Sequence, residues 1–200
     1  NLCGADAHML VAVLKVNSTL TFVDLHRTAI GNAGAQELAE ALKVNCTLRT
    51  LNISEAEISC YGARALAEGL KANRGLTSLH LKDNYVRDIG AQALADALKV
   101  NRALLQLDLN YNRISDTGAQ AFAEALKINC ALVSIDLGSN SISEAGALAL
   151  LEALNKNTRV ESLQLNAFNK LFSAALQRNL RLAPKRKAMM ALILGMQCNK

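Results

Sequence analysis

A fixed period of 28 residues constrains this chain more than any other feature. The stretch 104–131, LLQLDLNYNRISDTGAQAFAEALKINCA, carries anchors at Leu104, Leu107, Leu109, Asn112, Ile114, Gly118, Phe122 and Leu126. Moved back by 28, the same template lands on Leu76, Leu79, Leu81, Asn84, Val86, Gly90, Leu94 and Leu98. Moved forward, it lands on Leu132, Ile135, Leu137, Asn140, Ile142, Gly146, Leu150 and Leu154. Its opening position recurs at 20, 48, 76, 104, 132 and 160 without a slip. Such a period signals stacked supersecondary units, each burying its apolar face only against its neighbours.

Each unit has one physical logic. Leucines two residues apart in LxxLxL point to one side of a short strand, and the residues between them point to the other. Stacked in register, these strands form a parallel sheet with a buried leucine face. The Asn at 84, 112 and 140 turns the chain inward, where its amide can serve backbone groups that would otherwise be unpaired at ~1–3 kcal/mol each. Gly118, Ala119, Phe122, Ala123 and Leu126 then follow at helical spacing and face the core. Gln120, Glu124 and Lys127 face water. An acid three places before a lysine recurs as Glu40/Lys43, Glu68/Lys71, Asp96/Lys99 and Glu124/Lys127, a mildly stabilising surface pair. Each helix closes on an asparagine (17, 45, 73, 101, 129 and 157), which predicts a left-handed stop residue.

Composition narrows the function classes. Half of the residues are hydrophobic and only 4% are aromatic, as alanine and leucine at repeat spacing require. No run approaches the roughly 18 apolar residues of a membrane span. The net charge of +5 is unevenly placed: residues 1–166 hold 15 basic and 17 acidic side chains, and residues 167–200 hold seven basic and none acidic. Cys3, Cys46, Cys60, Cys130 and Cys198 are odd in number and form no CxxC pair, which predicts reduced thiols and an intracellular, cytoplasmic setting. No cofactor or metal signature is present.

The chain divides into three parts. Residues 1–19 match the helix half of a repeat, with Ala7, Leu10, Leu14, Lys15 and Asn17 on the template, so an apolar end is expected there, covered by preceding chain or by a neighbouring molecule. Residues 20–166 are the repeats. In residues 167–200, Phe168 replaces the template asparagine, and Phe168, Leu171, Phe172, Ala175 and Leu176 fall at helical spacing before Pro184 and Lys185-Arg186-Lys187. A basic helical C-terminal cap is the reading. Nuclear import or nucleic-acid contact is a weaker alternative, because no aromatics interleave the cluster; contact of this tail with an acidic membrane or a partner helix is another.

The pattern LxxLDLxxNxIxxxGAxxxAEALKxN at 104–129 resembles the ribonuclease-inhibitor-like class of leucine-rich repeats, over about residues 5–166. The uniform period is most similar to the C-terminal repeats of NOD-like receptors and related intracellular proteins, including some bacterial effectors. Ribonuclease inhibitors proper alternate two unit lengths and hold more cysteine, so the chain departs from them. The resemblance implies an α/β fold: a right-handed β-α solenoid or horseshoe arc, with the parallel sheet concave and the helices convex. It implies a non-enzymatic recognition module or scaffold for a protein partner, with innate-immune sensing in a larger receptor as one setting. Regulation of a GTPase or another enzyme through the same surface is the alternative.

On that fold the outward strand positions form columns: 22/50/78/106/134/162, 24/52/80/108/136/164 and 26/54/82/110/138/166. Aromatic, His and Arg side chains gather in the first four repeats, and interface hot spots favour Tyr and Arg. The candidate protein-binding residues are Phe22, His26, Arg27, His80, Lys82, Tyr85, Asp108, Tyr111 and Arg113. A hydrolytic arrangement of Ser78, His80 and Asp108 is disfavoured, because residues two apart on a strand lie about 7 Å apart and no strained glycine elbow surrounds the serine. Metal binding by His26, His80 and the Asp column matches no ligand signature.

Overall fold

The buried residue at the centre of each three-residue strand sets the architecture. The computed structural model describes residue 9 and residues 12–165. Six strands, β1 (Phe22–Asp24), β2 (Thr50–Asn52), β3 (Ser78–His80), β4 (Gln106–Asp108), β5 (Ser134–Asp136) and β6 (Ser162–Gln164), pair in sequence order as one parallel sheet. The register is the 28-residue shift, with Val23, Leu51, Leu79, Leu107, Ile135 and Leu163 side by side. All six are buried. Between the strands run α1 (Gly31–Val44), α2 (Cys60–Ala72), α3 (Arg87–Val100), α4 (Asp116–Leu126) and α5 (Glu144–Lys156), each packed on the next.

The solenoid core is a leucine column lined by small residues where helices meet. Leu66, Leu94, Phe122 and Leu150 occupy one slot and are fully buried. A Cβ added to Gly118 would lie 2.8 Å from Asp88 Oδ1 and 3.0 Å from Ala91 Cβ of the preceding helix, so this slot admits no side chain at the existing spacing. The exposed helix faces carry the expected pairs Lys43–Glu40, Lys71–Glu68, Lys99–Asp96 and Lys127–Glu124, all at 2.6–2.7 Å. At the first repeat, Met9 and Val13 are exposed, as is Val16, whose slot is exposed in inner repeats too at Val44, Val100 and Ile128. None of the described helices is long and apolar enough to cross a membrane. The proposed C-terminal cap at 167–200 lies outside the described residues.

Asparagine stitches the turns together, though not by the left-handed stop predicted above. Asn45, Asn73, Asn101 and Asn157 have extended backbones, with φ from −68° to −83°. Helix α4 stops earlier, with Lys127 as its right-handed cap. The side chain explains the choice of residue. Asn101 Nδ2 donates to the carbonyls of Leu70 (2.7 Å) and Asn73 (3.0 Å) one repeat back. Its Oδ1 accepts from the N–H groups of Ala103 and Leu104. Asn45, Asn73, Asn129 and Asn157 repeat the pattern. Only an amide supplies two donors and an acceptor at once. The second asparagine ladder was legible: Asn84 Nδ2 donates to the Ile53 carbonyl, and its Oδ1 accepts from Ala56 and Ile58 N–H.

Equal repeat length conceals two loop conformations. In repeats 2, 4 and 5 the serines Ser59, Ser115 and Ser143 cap the helix, accepting from Tyr61, Thr117 and Ala145 N–H. Each serine is itself held by the helix before it: by Asn32, Asp88 and Asp116 respectively. Repeats 1 and 3 have no side-chain cap; Gly31 and Arg87 occupy the serine slot at φ +59° and +53°. Where Arg87 replaces serine, Cys60 replaces the acid that would have held it. Backbone conformation at this slot thus alternates over the first four repeats.

Candidate protein-recognition surface

The concave floor is largely self-satisfied, because its polar residues hold the strand ends. Asp24, Asn52, Asp108 and Asp136 each accept, through Oδ1, the N–H two residues ahead, on His26, Ser54, Asn110 and Gly138, at 2.7–3.2 Å. Asp108, picked as a recognition residue, therefore does scaffold work with one oxygen. Burial, followed by the charge of Asp108, raises the Asp136 carboxyl above its ordinary range, against the opposing bond from Gly138 N–H.

Three clusters stand on this floor. His26 and Arg27 both meet Glu55, at 3.0 Å and 2.8 Å. The Arg27 hydrogen bond, then that of His26, lowers the Glu55 carboxyl, and Glu55 in turn raises Arg27. Glu55 was missing from the selected residues; its position one repeat on from Arg27 was the available signal. In the second cluster, His80 Nε2 lies 2.9 Å from Ser78 Oγ, and His80 Nδ1 lies 3.8 Å from Asp108 Oδ2. The separation of Ser78 and His80 argued from strand rise holds for the backbone only; the side chains lean together over Leu79. Ser78 also reaches Gln106 Oε1 at 3.2 Å, and its own N–H donates to the Arg49 carbonyl. Thr77 N–H is bound to the same carbonyl, so neither N–H is free to stabilise an oxyanion beside the hydroxyl.

The third cluster lies on the rim where strands pass into helices. The Arg113 guanidinium stacks 4.8 Å above the Tyr85 ring centroid, from the next repeat. Tyr85 and Tyr111 are 45% and 56% exposed, far more than the core role of most large apolar side chains here would allow. Tyr111 and Arg113 both have left-handed backbones, near φ +56°. Lys82 is exposed and joins no ion pair among the described residues, its charge acting on the Asp136 carboxyl from a distance. Phe22, 57% exposed, stands apart at the other end of the sheet, on β1. The nine selected residues thus split into the Glu55 cluster, a central group around β3 and β4, and isolated Phe22. Among the described residues no three His, Cys, Asp or Glu side chains converge as a metal site.

Comparison with known proteins agrees with this fold. No curated protein matches the chain in sequence. Among solved structures, the leiomodin-1 actin-binding site 2 domain is similar, with a TM-score of 0.66 and 22% identity over 94% of this chain and 99% of that one. The C-terminal domain of tropomodulin from Caenorhabditis elegans is similar at TM-score 0.62 and 17% identity, covering 88% of this chain and 99% of that one. At such identities these likenesses speak to fold. The leucine-rich repeat family model matches residues 16–39, 44–67, 72–95, 100–123 and 129–151. With more than half of its length on that model, the chain belongs to the leucine-rich repeat family.

Proposed function

We propose that this protein is a non-enzymatic recognition module that binds a protein partner through the rim of repeats 3 and 4 and the adjoining concave face. The observation that carries the reading is the Tyr85–Arg113 stack beside exposed Tyr111. Aromatic and arginine anchors of limited side-chain freedom are what protein interfaces use as hot spots, and stacking pre-orders the guanidinium before a partner arrives. Against catalysis stands the crowding of Ser78 by Gln106 and the occupied N–H groups beside it, since a nucleophile needs an oxyanion site as well as a base. Whether the partner is an enzyme or GTPase under regulation, or a component of a receptor or effector, follows from its identity.

The similar leiomodin-1 domain is an actin-binding site, so actin is the first partner to assay. Co-sedimentation with filamentous actin and pull-down of monomeric actin test that case. A pull-down comparing the intact array with Tyr85→Ala/Tyr111→Ala tests the general one. Retention of full affinity for an identified partner by the double variant overturns the rim as the binding surface.

A further inference from the structure

Repeat 3 breaks a rule that its sister repeats keep, and the break leaves a backbone N–H on the concave side without the side-chain acceptor its sisters have. In repeats 1, 2, 4 and 5 an Asp or Asn oxygen at the end of the strand accepts the backbone N–H two residues later. In repeat 3 that residue is His80, whose ring turns to Ser78 and Asp108 instead. The backbone around it is otherwise the same. Leu81 N–H donates to Asp108 and Asp83 N–H to Asn110, as Ile53 donates to His80 and Glu55 to Lys82 one repeat earlier. The N–H of Lys82 therefore points where those of His26, Ser54, Asn110 and Gly138 point, yet it has no acceptor among the described residues.

We infer that the Lys82 backbone N–H, together with the Lys82 ammonium and the His80 imidazole, receives a carboxylate side chain from the protein partner. This inference rests on the recognition role proposed above and names the chemistry of its central contact. The chain itself shows what the position takes, since three of the four sister acceptors are carboxylates. Lys82 joins no ion pair among the described residues and acts on Asp136 only by its charge, so its ammonium can turn to an incoming acid, and a charge-assisted bond to N–H is stronger than a neutral one. His80 adds a second nitrogen donor, exchanging its bond to the Ser78 hydroxyl. The flanking tyrosines on the rim supply apolar contact, so the fitting partner segment carries an Asp or Glu next to an apolar residue. The carboxylates of Asp83, Asp108 and Asp136 lie nearby on these repeats, so the contact is a local hydrogen-bonding site and not a basic field.

The test needs no identified partner. The amide signals of the whole protein are followed by NMR while N-acetyl-aspartate amide is titrated in, with N-acetyl-alanine amide and inorganic phosphate as parallel arms. The expected result is a saturable downfield shift of the Lys82 amide with the aspartate probe alone, while the Ser54, Asn110 and Gly138 amides move at least fivefold less. His80→Asp restores the sister arrangement and is expected to weaken probe binding at least fivefold; His80→Asn is the uncharged equivalent and is expected to do likewise. Lys82→Met is expected to weaken binding severalfold. Equal movement of all four amides, tighter binding of phosphate than of the aspartate probe, or unchanged binding in folded His80→Asp overturns the inference. Because the readout is one amide and not partner capture, its failure leaves the tyrosine rim standing, and failure of the rim variants leaves this contact standing.

Discussion

Replacing Asn101 with alanine isolates the contribution of the asparagine ladder to the stability of the array. The side chain is 1% exposed and makes four hydrogen bonds: two donated to Leu70 and Asn73 carbonyls, two accepted from Ala103 and Leu104 N–H. Its loss strands the Ala103 and Leu104 N–H groups and the Leu70 carbonyl, each worth ~1–3 kcal/mol if nothing replaces the bond, while the Asn73 carbonyl keeps the Arg74 guanidinium at 3.1 Å. A water entering the vacated space can satisfy two to four polar groups, which brings the expected net cost to about 3–4 kcal/mol by the same per-group figures. Against a urea dependence of roughly 2 kcal/mol/M, the unfolding midpoint falls by about 1.5–2 M. The control is Asn157→Ala, whose equivalent bonds are only partly buried, so bulk water replaces them at about 1 kcal/mol or less. Both are read by circular dichroism in urea, comparing midpoints and slopes because repeat arrays can lose cooperativity. A cost below about 1 kcal/mol at position 101, or equal costs at 101 and 157, refutes an argument that rests on buried backbone satisfaction.

Three other outcomes follow from the same structure. Phe122 is fully buried in a slot that is leucine in the neighbouring repeats, so Phe122→Leu is expected to cost less than ~1.5 kcal/mol and Phe122→Ala about 3–5 kcal/mol in thermal or urea unfolding. Arg87 holds φ +53° where repeat 1 has Gly31, and a left-handed non-glycine residue costs roughly 1–2 kcal/mol; Arg87→Gly is therefore expected to raise stability by ~0.5–1 kcal/mol, the remainder being lost to the looser unfolded chain. Asp116 is held below its ordinary pKa, first by the Ser143 hydroxyl and then by the backbone N–H groups of Ser143 and Gly146. A lowered folded-state pKa means stability that is present above the unfolded value and lost as pH falls through the folded one. Acid titration by NMR should show Asp116 moving up toward 3.8 in Ser143→Ala, with the stability difference between variant and parent shrinking below that pH.

The distinction between scaffold and surface could be read from the repeats themselves. Comparing Leu104–Ala131 with its neighbours separates the invariant leucines, Asn112 and Gly118 from the variable Gln106, Asp108, Asn110, Tyr111 and Arg113. Three of the residues read from the sequence as recognition candidates are already engaged within the chain. Asp108 spends an oxygen on Asn110 N–H, and His26 and Arg27 are engaged by Glu55. Sequence alone also underrated Glu55 and Ser78, whose roles come from partners 28 or two residues away and from the way their side chains lean.

What the sequence by itself determined is everything that repeats: the period, the in-register parallel sheet, the buried leucine column, the solvated Glu–Lys pairs and the small residues between helices. Periodic burial leaves one solution, because an apolar face recurring every 28 residues can be covered only by its neighbours. What the tertiary structure alone decided is everything that differs between repeats. The side chains of Tyr85 and Arg113 meet across one repeat, with left-handed backbone at Arg113. The ladder asparagines stop helices through buried amide bonds rather than their own φ, and the Lys82 N–H is exceptional only beside four sister N–H groups that are capped. These outcomes depend on torsions and contacts between loops one repeat apart, which a one-dimensional pattern of apolar and polar letters does not encode.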